Sequence, residues 1–336
     1  MKPLYALLLT AALARGACSE AQGQAYIDAG DYAKAVKEFT CLIDADPSGF
    51  AGYRGRIEAN LLLDRYADAM RDHARLSAPR QFADHYAARL AAAPAGVPAL
   101  TGASFARWWY FQYAQSIQLL NDLLAVTPDG VYANLLRGSA RVLSGAKAQE
   151  GVADLERAIL LAPANPHVHF LVADAYTYGI PDPSRAFAEA TLALNGGLDT
   201  PRVRAILGAC YLAWGNMPLA AAQIAAHIAQ VTVELVPAAA PTPGASVTLP
   251  LTRGRTYEFA VPLAAGERLA VTTASKDFFD TILVLLAPDG APVYASDDAV
   301  KYFAAVDFAA PAAGLYRLRV TSFEAASEGN FTVKRQ

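Results

Sequence analysis

Three cysteines in 336 residues, Cys18, Cys41 and Cys210, are too few for a disulfide-dense scaffold or a cysteine-built zinc site. The five histidines are scattered. His167 and His169 come nearest to a ligand pair, but residues two apart on a helix point about 200° apart and cannot share an ion. Charge is also scarce: 18% of residues are charged, and the net charge is −3. That removes the electrostatic basis for holding nucleic acid or an anionic membrane surface. No stretch reaches the roughly 18–20 apolar residues a spanning helix needs. Neither G-x-S-x-G nor H-E-x-x-H occurs, and no nucleophile has a base at motif spacing, so catalysis is not expected.

What the chain has is apolar residues, 54% of the total, set in a helical rhythm. Gly30–Pro47 is the unit. Gly30 makes a turn, and Tyr32, Ala35, Val36, Phe39, Leu42 and Ile43 form one apolar helix face. Pro47 stops the helix. A helix this short needs neighbours to be stable. Tyr66, Ala69 and Leu76 follow Tyr32, Ala35 and Leu42 by 34 residues, and Pro128 to Pro163 and Tyr176 to Tyr211 span 35. Leu207-Gly208-Ala209-Cys210-Tyr211 with Ala220 completes a pattern that resembles the tetratricopeptide repeat, a stacked helix-turn-helix unit. Five to six helix pairs are expected over residues 18–234.

The rhythm breaks at 77–104, where Pro79, Pro94, Gly96, Pro98 and Gly102 surround one short helix near Phe82–Ala93. From Ala69 to its equivalent Ser116 is 47 residues instead of 34, so chain has been inserted. Insertions in solenoids map to one face, often the binding face. Trp108-Trp109-Tyr110-Phe111 and Tyr113 then open a long helix or two joined ones over Phe105–Val126. Five aromatics in six residues encircle a helix, so some must face a neighbouring repeat or solvent. His73 stands where the preceding repeat has Phe39 and is expected in the core.

The tetratricopeptide resemblance implies a concave groove lined by the first helix of each pair, a usual partner site. It places Arg54, Glu58, His167, Phe170, Asp174, Tyr178 and Arg202 on or near that groove. The set is mixed in charge and lacks the Lys/Arg/Asn cluster that some relatives use on a C-terminal carboxylate.

Met1-Lys2 and the apolar run Leu4–Leu13 have the layout of an export signal over 1–17, and Ala12-Leu13-Ala14 fits its cleavage pattern. Gly16-Ala17-Cys18 also fits a lipoprotein signal with Cys18 as lipid anchor, although Arg15 departs from that pattern. An uncleaved helix is the third reading; an extracytoplasmic location follows from the first two. There a Cys18–Cys41 disulfide is open to the chain. Small buried residues in helices are the simpler expectation for these cysteines.

Residues 235–245, rich in Pro and Ala, read as an extended linker. Beyond it the period changes to two: Tyr257-x-Phe259-x-Val261, Leu269-x-Val271, Tyr316-x-Leu318-x-Val320. Turn signals at Ala265-Gly266, Pro288-Asp289-Gly290, Ala313-Gly314 and Gly329-Asn330 divide residues 246–336 into seven to nine strands. The fold class expected is an all-α helical-repeat solenoid followed by an antiparallel, jelly-roll-like β-sandwich. Asp280-x-x-Leu283-x-Leu285-x-x-Pro288-x-Gly290, Ser296-Asp297-Asp298, Gly314-x-Tyr316 and Gly329-x-Phe331-x-Val333 resemble the bacterial pre-peptidase C-terminal domain. That resemblance implies a secreted or surface protein, and calcium at Asp280, Asp297 and Asp298 in some relatives. Turn-capping carboxylates are the simpler reading.

The function expected is a non-enzymatic scaffold that holds a protein or peptide. Two alternatives are a carbohydrate- or matrix-binding protein, with Tyr294, Tyr302, Phe303 and Phe323 as its aromatics, and an accessory factor of a secreted peptidase.

Overall fold

The computed structural model describes residues 18–76, 79–145, 147–275, 277, 280–297, 303–323 and 327–336. The expected export segment 1–17, Asp298 and Tyr302 lie outside them. The chain divides into two compact units, before and after the Pro163–Ala164 bond.

The first unit carries α1 (Glu20–Asp28), α2 (Tyr32–Ala45), α3 (Phe50–Leu61), α4 (Tyr66–His73), α5 (Pro79–Ala92), α6 (Val97–Trp109), α7 (Tyr113–Val126), α8 (Val131–Leu143) and α9 (Ala148–Leu161). Helices pair as α1–α2, α3–α4, α6–α7 and α8–α9. The pairing follows from the sequence: α2 buries Ala35, Phe39 and Ile43, one stripe at helical spacing. Close approach needs small residues opposite the large ones. A Cβ on Gly55 would stand 2.2 Å from the Phe39 ring, so α3 can lie on α2 only with glycine there.

The insertion is the helix α5, close to the expected span. The irregular stretch assigned to 77–104 is shorter than expected, because α6 begins at Val97. Pro98 lies in its first turn, where a missing N–H costs nothing. Gly102 is a contact glycine within the helix and not a turn: a Cβ there would lie 2.1 Å from the Tyr86 ring of α5.

Cys18 and Cys41 form a disulfide, with Cα atoms 6.0 Å apart and a sequence separation of 23. The expectation that both are simply small buried residues is corrected; Cys210 alone is free, and it is buried. Burial raises the Cys210 thiol to about 11, which leaves it unreactive. Closing a loop of this length stabilises the first unit by about 3 kcal/mol through the unfolded chain. Urea unfolding with and without reductant should show that loss, and Cys18→Ser should reproduce it without reductant.

The second unit carries α10 (Pro166–Tyr178), α11 (Pro183–Asn195), α12 (Pro201–Ala213) and α13 (Met217–Val231). It continues with β1 (Glu234–Ala238), β2 (Ser246–Leu251), β3 (Arg255–Leu263), β4 (Arg268–Ser275) and β5 (Thr281–Leu286). The last strands are β6 (Pro292–Asp297), β7 (Ala305–Ala309), β8 (Gly314–Ser322) and β9 (Gly329–Arg335). The strands form a five-stranded sheet ordered β1-β3-β8-β5-β6 and a four-stranded sheet ordered β2-β9-β4-β7. All the ladders are antiparallel except β1–β3. Tyr257, Phe259, Leu269, Leu283, Leu285, Tyr316, Leu318 and Phe331 fill the space between the sheets.

The start of the expected linker is a strand. Glu234–Ala238 pairs in parallel with Arg255–Phe259, so α13 runs straight into the sheet. Strand β5 explains the arrangement. All six of its residues are buried. Leu283 and Leu285 face the sandwich core, while Ile282, Val284 and Leu286 belong to a second cluster with Ala205, Ala221, Ile224 and Ile228 of α12 and α13. A strand covered on both faces loses the polar alternation of a half-exposed one. The sandwich is thus seated on the last helix pair and shares a core with it.

Candidate interaction sites

Two clusters of charged side chains stand out, one in each unit. In the first, Glu58 of α3 is fully buried. Its carboxylate accepts from the Tyr86 hydroxyl at 2.6 Å and from Arg89 Nη1 at 2.5 Å, both on α5. Arg54 Nη1 lies 3.7 Å from the same carboxylate. Arg54, itself 2% exposed, also donates to Glu20 of α1 at 2.7 Å and to His85 Nε2 at 3.1 Å. Since a guanidinium only donates, His85 is the neutral Nδ1–H tautomer. Burial, then the Arg54 and Arg89 charges, hold it near pKa 4. Burial also raises Glu58, against the pull of Arg89 and the Tyr86 hydroxyl. Above the network lies a cavity of about 700 Å³, lined by Glu20, Gln24, Asp28, Arg54, His85 and Arg89.

A second, more apolar groove of about 550 Å³ runs between α5, α6 and α7, where Ala87, Leu90, Ala103, Ala106 and Leu119 form its walls. Arg107 lines it and donates to Gln112 at 2.6 Å in the α6–α7 turn. Next to Gln112 is Phe111, 78% exposed and at φ +57°. The long segment Phe105–Val126 is therefore two helices, broken at this turn. Of the aromatic run, Trp108 is buried, Trp109, Tyr110 and Tyr113 are half-buried, and Phe111 is in solvent.

In the second unit, Arg202 donates to Asp174 at 2.7 Å and lies over the rings of Tyr178 and Phe323, 5.5 and 5.8 Å from their centroids. Asp280 and Asp297 are close enough to act on the Tyr178 hydroxyl, whose pKa burial pushes well up. Asp174, Tyr178 and Arg202 of the expected groove thus meet Asp280 and Asp297, the expected calcium residues, in one place. Among the described residues no group of three or more His, Cys, Asp or Glu is arranged to hold a metal ion.

No protein-family model matches the chain, and no curated relative does. Solved structures do. A tetratricopeptide repeat protein from Parabacteroides merdae is 17% identical, with a TM-score of 0.40 over 64% of this chain and 78% of that one. PilF of Pseudomonas aeruginosa is 15% identical, with a TM-score of 0.35 over 63% of this chain and 88% of that one. The pre-peptidase C-terminal domain of a Bacillus anthracis collagenase is 16% identical, with a TM-score of 0.25 over 31% of this chain and 95% of that one.

The expected groove set divides. Arg54, Glu58 and Asp174 are buried in ion pairs and Phe170 is a core residue at 2% exposure, so these four offer a partner no free side chain. His167 is half-buried, and only Tyr178 and Arg202 present substantial surface. Burial reflects pairing over distance: Arg202 meets Asp174 across 28 residues, and Arg89 meets Glu58 across 31. His169 Nδ1 lies 2.6 Å from the Glu189 carboxylate. On the sandwich, Tyr294 packs toward the core and Phe323 is buried at 8%, so neither forms an exposed aromatic face. The sequence reading missed His85, Arg89 and Tyr86. Their spacing on one face of the inserted helix was the available signal.

Proposed function

We propose that the chain is a non-enzymatic interaction scaffold that works outside the cytoplasm and holds a protein partner on the surface built around the insertion. Phe111 carries this reading. A bulky residue in the left-handed region costs roughly 1–2 kcal/mol, and the equivalent turns at Gly30, Gly145 and Gly215 use glycine. Asp64, the other non-glycine there, has its carboxylate bonded to the Tyr66 hydroxyl at 2.6 Å. Phe111 makes only an edge contact with the Tyr113 ring, centroids 6.1 Å apart, and is 78% exposed. An aromatic kept in water against its backbone preference is suited to anchor a partner. The adjacent groove of about 550 Å³ would take that partner's apolar residues.

Phe111→Gly tests this by separating stability from function. The variant should gain about 1 kcal/mol in urea unfolding. Crosslinking in an envelope extract should lose the partner that wild type captures. A variant that is more stable and captures the same protein equally would remove Phe111 from the interface.

The disulfide supports an oxidising compartment. It also uses the Cys18 sulfur that a lipid anchor would need, so the mature protein carries one or the other. The intact mass before and after reduction decides between them. No helix among the described residues is long and apolar enough to cross a membrane. Calorimetric titration with calcium tests whether Asp280 and Asp297, which act on the Tyr178 hydroxyl, also hold that ion; a saturable heat would show that they do.

A further inference from the structure

The seam between α5 and the helices beneath it is built like a docked peptide. In the first unit the leading helices of the pairs touch in succession, α1–α3, α3–α6 and α6–α8, so they form a continuous layer without α5. Helix α5 belongs to no pair and lies across that layer. From one face it sets Phe82, Tyr86 and Arg89, spaced i, i+4 and i+7, on three of these helices. Phe82 meets Phe105 of α6 with ring centroids 6.1 Å apart. Tyr86 is fully buried, donates to Glu58 of α3, and covers Gly102 of α6, where a Cβ would stand 2.1 Å from its ring. Arg89 donates to the same Glu58 and reaches Asp28 of α1 at 3.9 Å. Anchors at this spacing are those of an amphipathic helix laid in a groove. The outer face of α5 is bare: Ala87, Ala88, Ala91 and Ala92 are exposed. Residues 74–76 before it and 93–96 after it are not helical.

The seam is also polar. Arg54, Glu58, Tyr86 and Arg89 meet in it, and water accepts each of them once it opens; a seam that never opened would hold as well with apolar residues. Toward α5 stand the carboxylates of Glu20, Asp28 and Glu58 against the guanidinium of Arg54, an acidic floor. Helix α5 brings Arg80, Asp84 and Arg89, a net positive charge. We propose that α5 is an in-chain ligand that closes a helix-binding groove across α1, α3 and α6, and that a basic amphipathic partner helix with the same aromatic, tyrosine and arginine face opens it by taking the place of α5. Closure accounts for Arg54 and Glu58, which the repeat spacing assigns to a groove and which α5 covers. The apolar groove beside Phe111 has Ala83, Ala87 and Leu90 of α5 as a wall, so it exists only while α5 is closed, and the two sites exclude each other.

The probe is a fluorescein-labelled peptide of residues 79–92, read by anisotropy against the full chain. Ala88→Pro changes an exposed residue in the middle of α5, breaks that helix, and leaves the residues of α1, α3 and α6 intact. It should bind the peptide with a dissociation constant of about 10 µM or tighter. Wild type should bind at least about tenfold more weakly, because its own α5 competes. Adding Glu58→Gln to Ala88→Pro should weaken binding about tenfold, and a peptide with Tyr86→Ala and Arg89→Ala should not bind. Hydrogen exchange of wild type reads the same closure without a variant: the amides of α5 should exchange at least about tenfold faster than those of α3 and α6. A folded Ala88→Pro chain that ignores the peptide, or wild-type binding as tight as the variant's, overturns the proposal. So does exchange of α5 at the rate of α3 and α6. Loss of the helical signal of the whole first unit in Ala88→Pro overturns it too, since α5 would then be part of a permanent core.

Discussion

Val284→Asp should destabilise the second unit by about 3–5 kcal/mol, because it places an unpaired carboxylate in a dry cluster. The size of the effect depends on how the sandwich is held. On a module hanging from a flexible linker, the outer face of β5 would meet water and an aspartate there would be tolerated. In this structure Val284 is 0% exposed and packs with Ile224 and Ile228 of α13. Thr248→Asp, on the exposed face of β2 in the other sheet, is the control; it gives up a cross-strand hydroxyl bond to Thr332 and should cost no more than about 1 kcal/mol. Equal, small effects in urea unfolding would mean that the shared core does not form. A large effect at Val284 alone would mean that the helices and the sandwich unfold together, so truncation after Val231 would leave Ala221, Ile224 and Ile228 uncovered.

That shared core was present in the sequence as the unbroken run Ile282-Leu283-Val284-Leu285-Leu286, which has no polar residue for a solvent face. Reading it only as an element of the sandwich hid its second face. The helix pairs were easier to read. Offsets of 34 and 35 residues repeat a large-small pattern that close packing enforces locally, and Pro47, Pro128 and Pro163 follow the ends of their helices as stops. Strand β1 was hidden by composition, since Pro237 and its alanines are poor strand residues that pair here only along an edge. The candidate site was the least legible part. A charged residue on a helix face has the same local pattern whether it meets water or a guanidinium 31 residues away, as Glu58 meets Arg89. The inserted helix that supplies His85, Tyr86 and Arg89 has no counterpart in the repeat, so periodicity could not assign its partners.

His73 provides the other large effect, and it acts through pH. Its ring is 2% exposed and boxed by Phe82, Phe105, Trp109 and Tyr110, with centroids 4.4–6.2 Å away. Neither ring nitrogen has a hydrogen-bond partner among the described residues. Burial lowers its pKa from 6.5 to about 4. In the unfolded chain the imidazole takes a proton as pH falls through 6.5; in the folded protein it resists until about pH 4. A depressed folded pKa means stability that is fully present above pH 6.5 and lost as pH falls toward 4, by about 3 kcal/mol in total. His73→Phe restores the aromatic that the preceding repeat has at Phe39 and removes two unsatisfied buried nitrogens. It should gain about 1–2 kcal/mol at pH 7. It should gain a further amount close to the titration term at pH 4, so the variant's advantage widens on acidification. His85, also near pKa 4 but half-exposed, keeps its own smaller acid dependence in the variant. Urea unfolding of both proteins between pH 7 and pH 4 measures the difference directly. Parallel curves would mean that His73 finds a proton acceptor in the folded state and that the aromatic box is not closed around it.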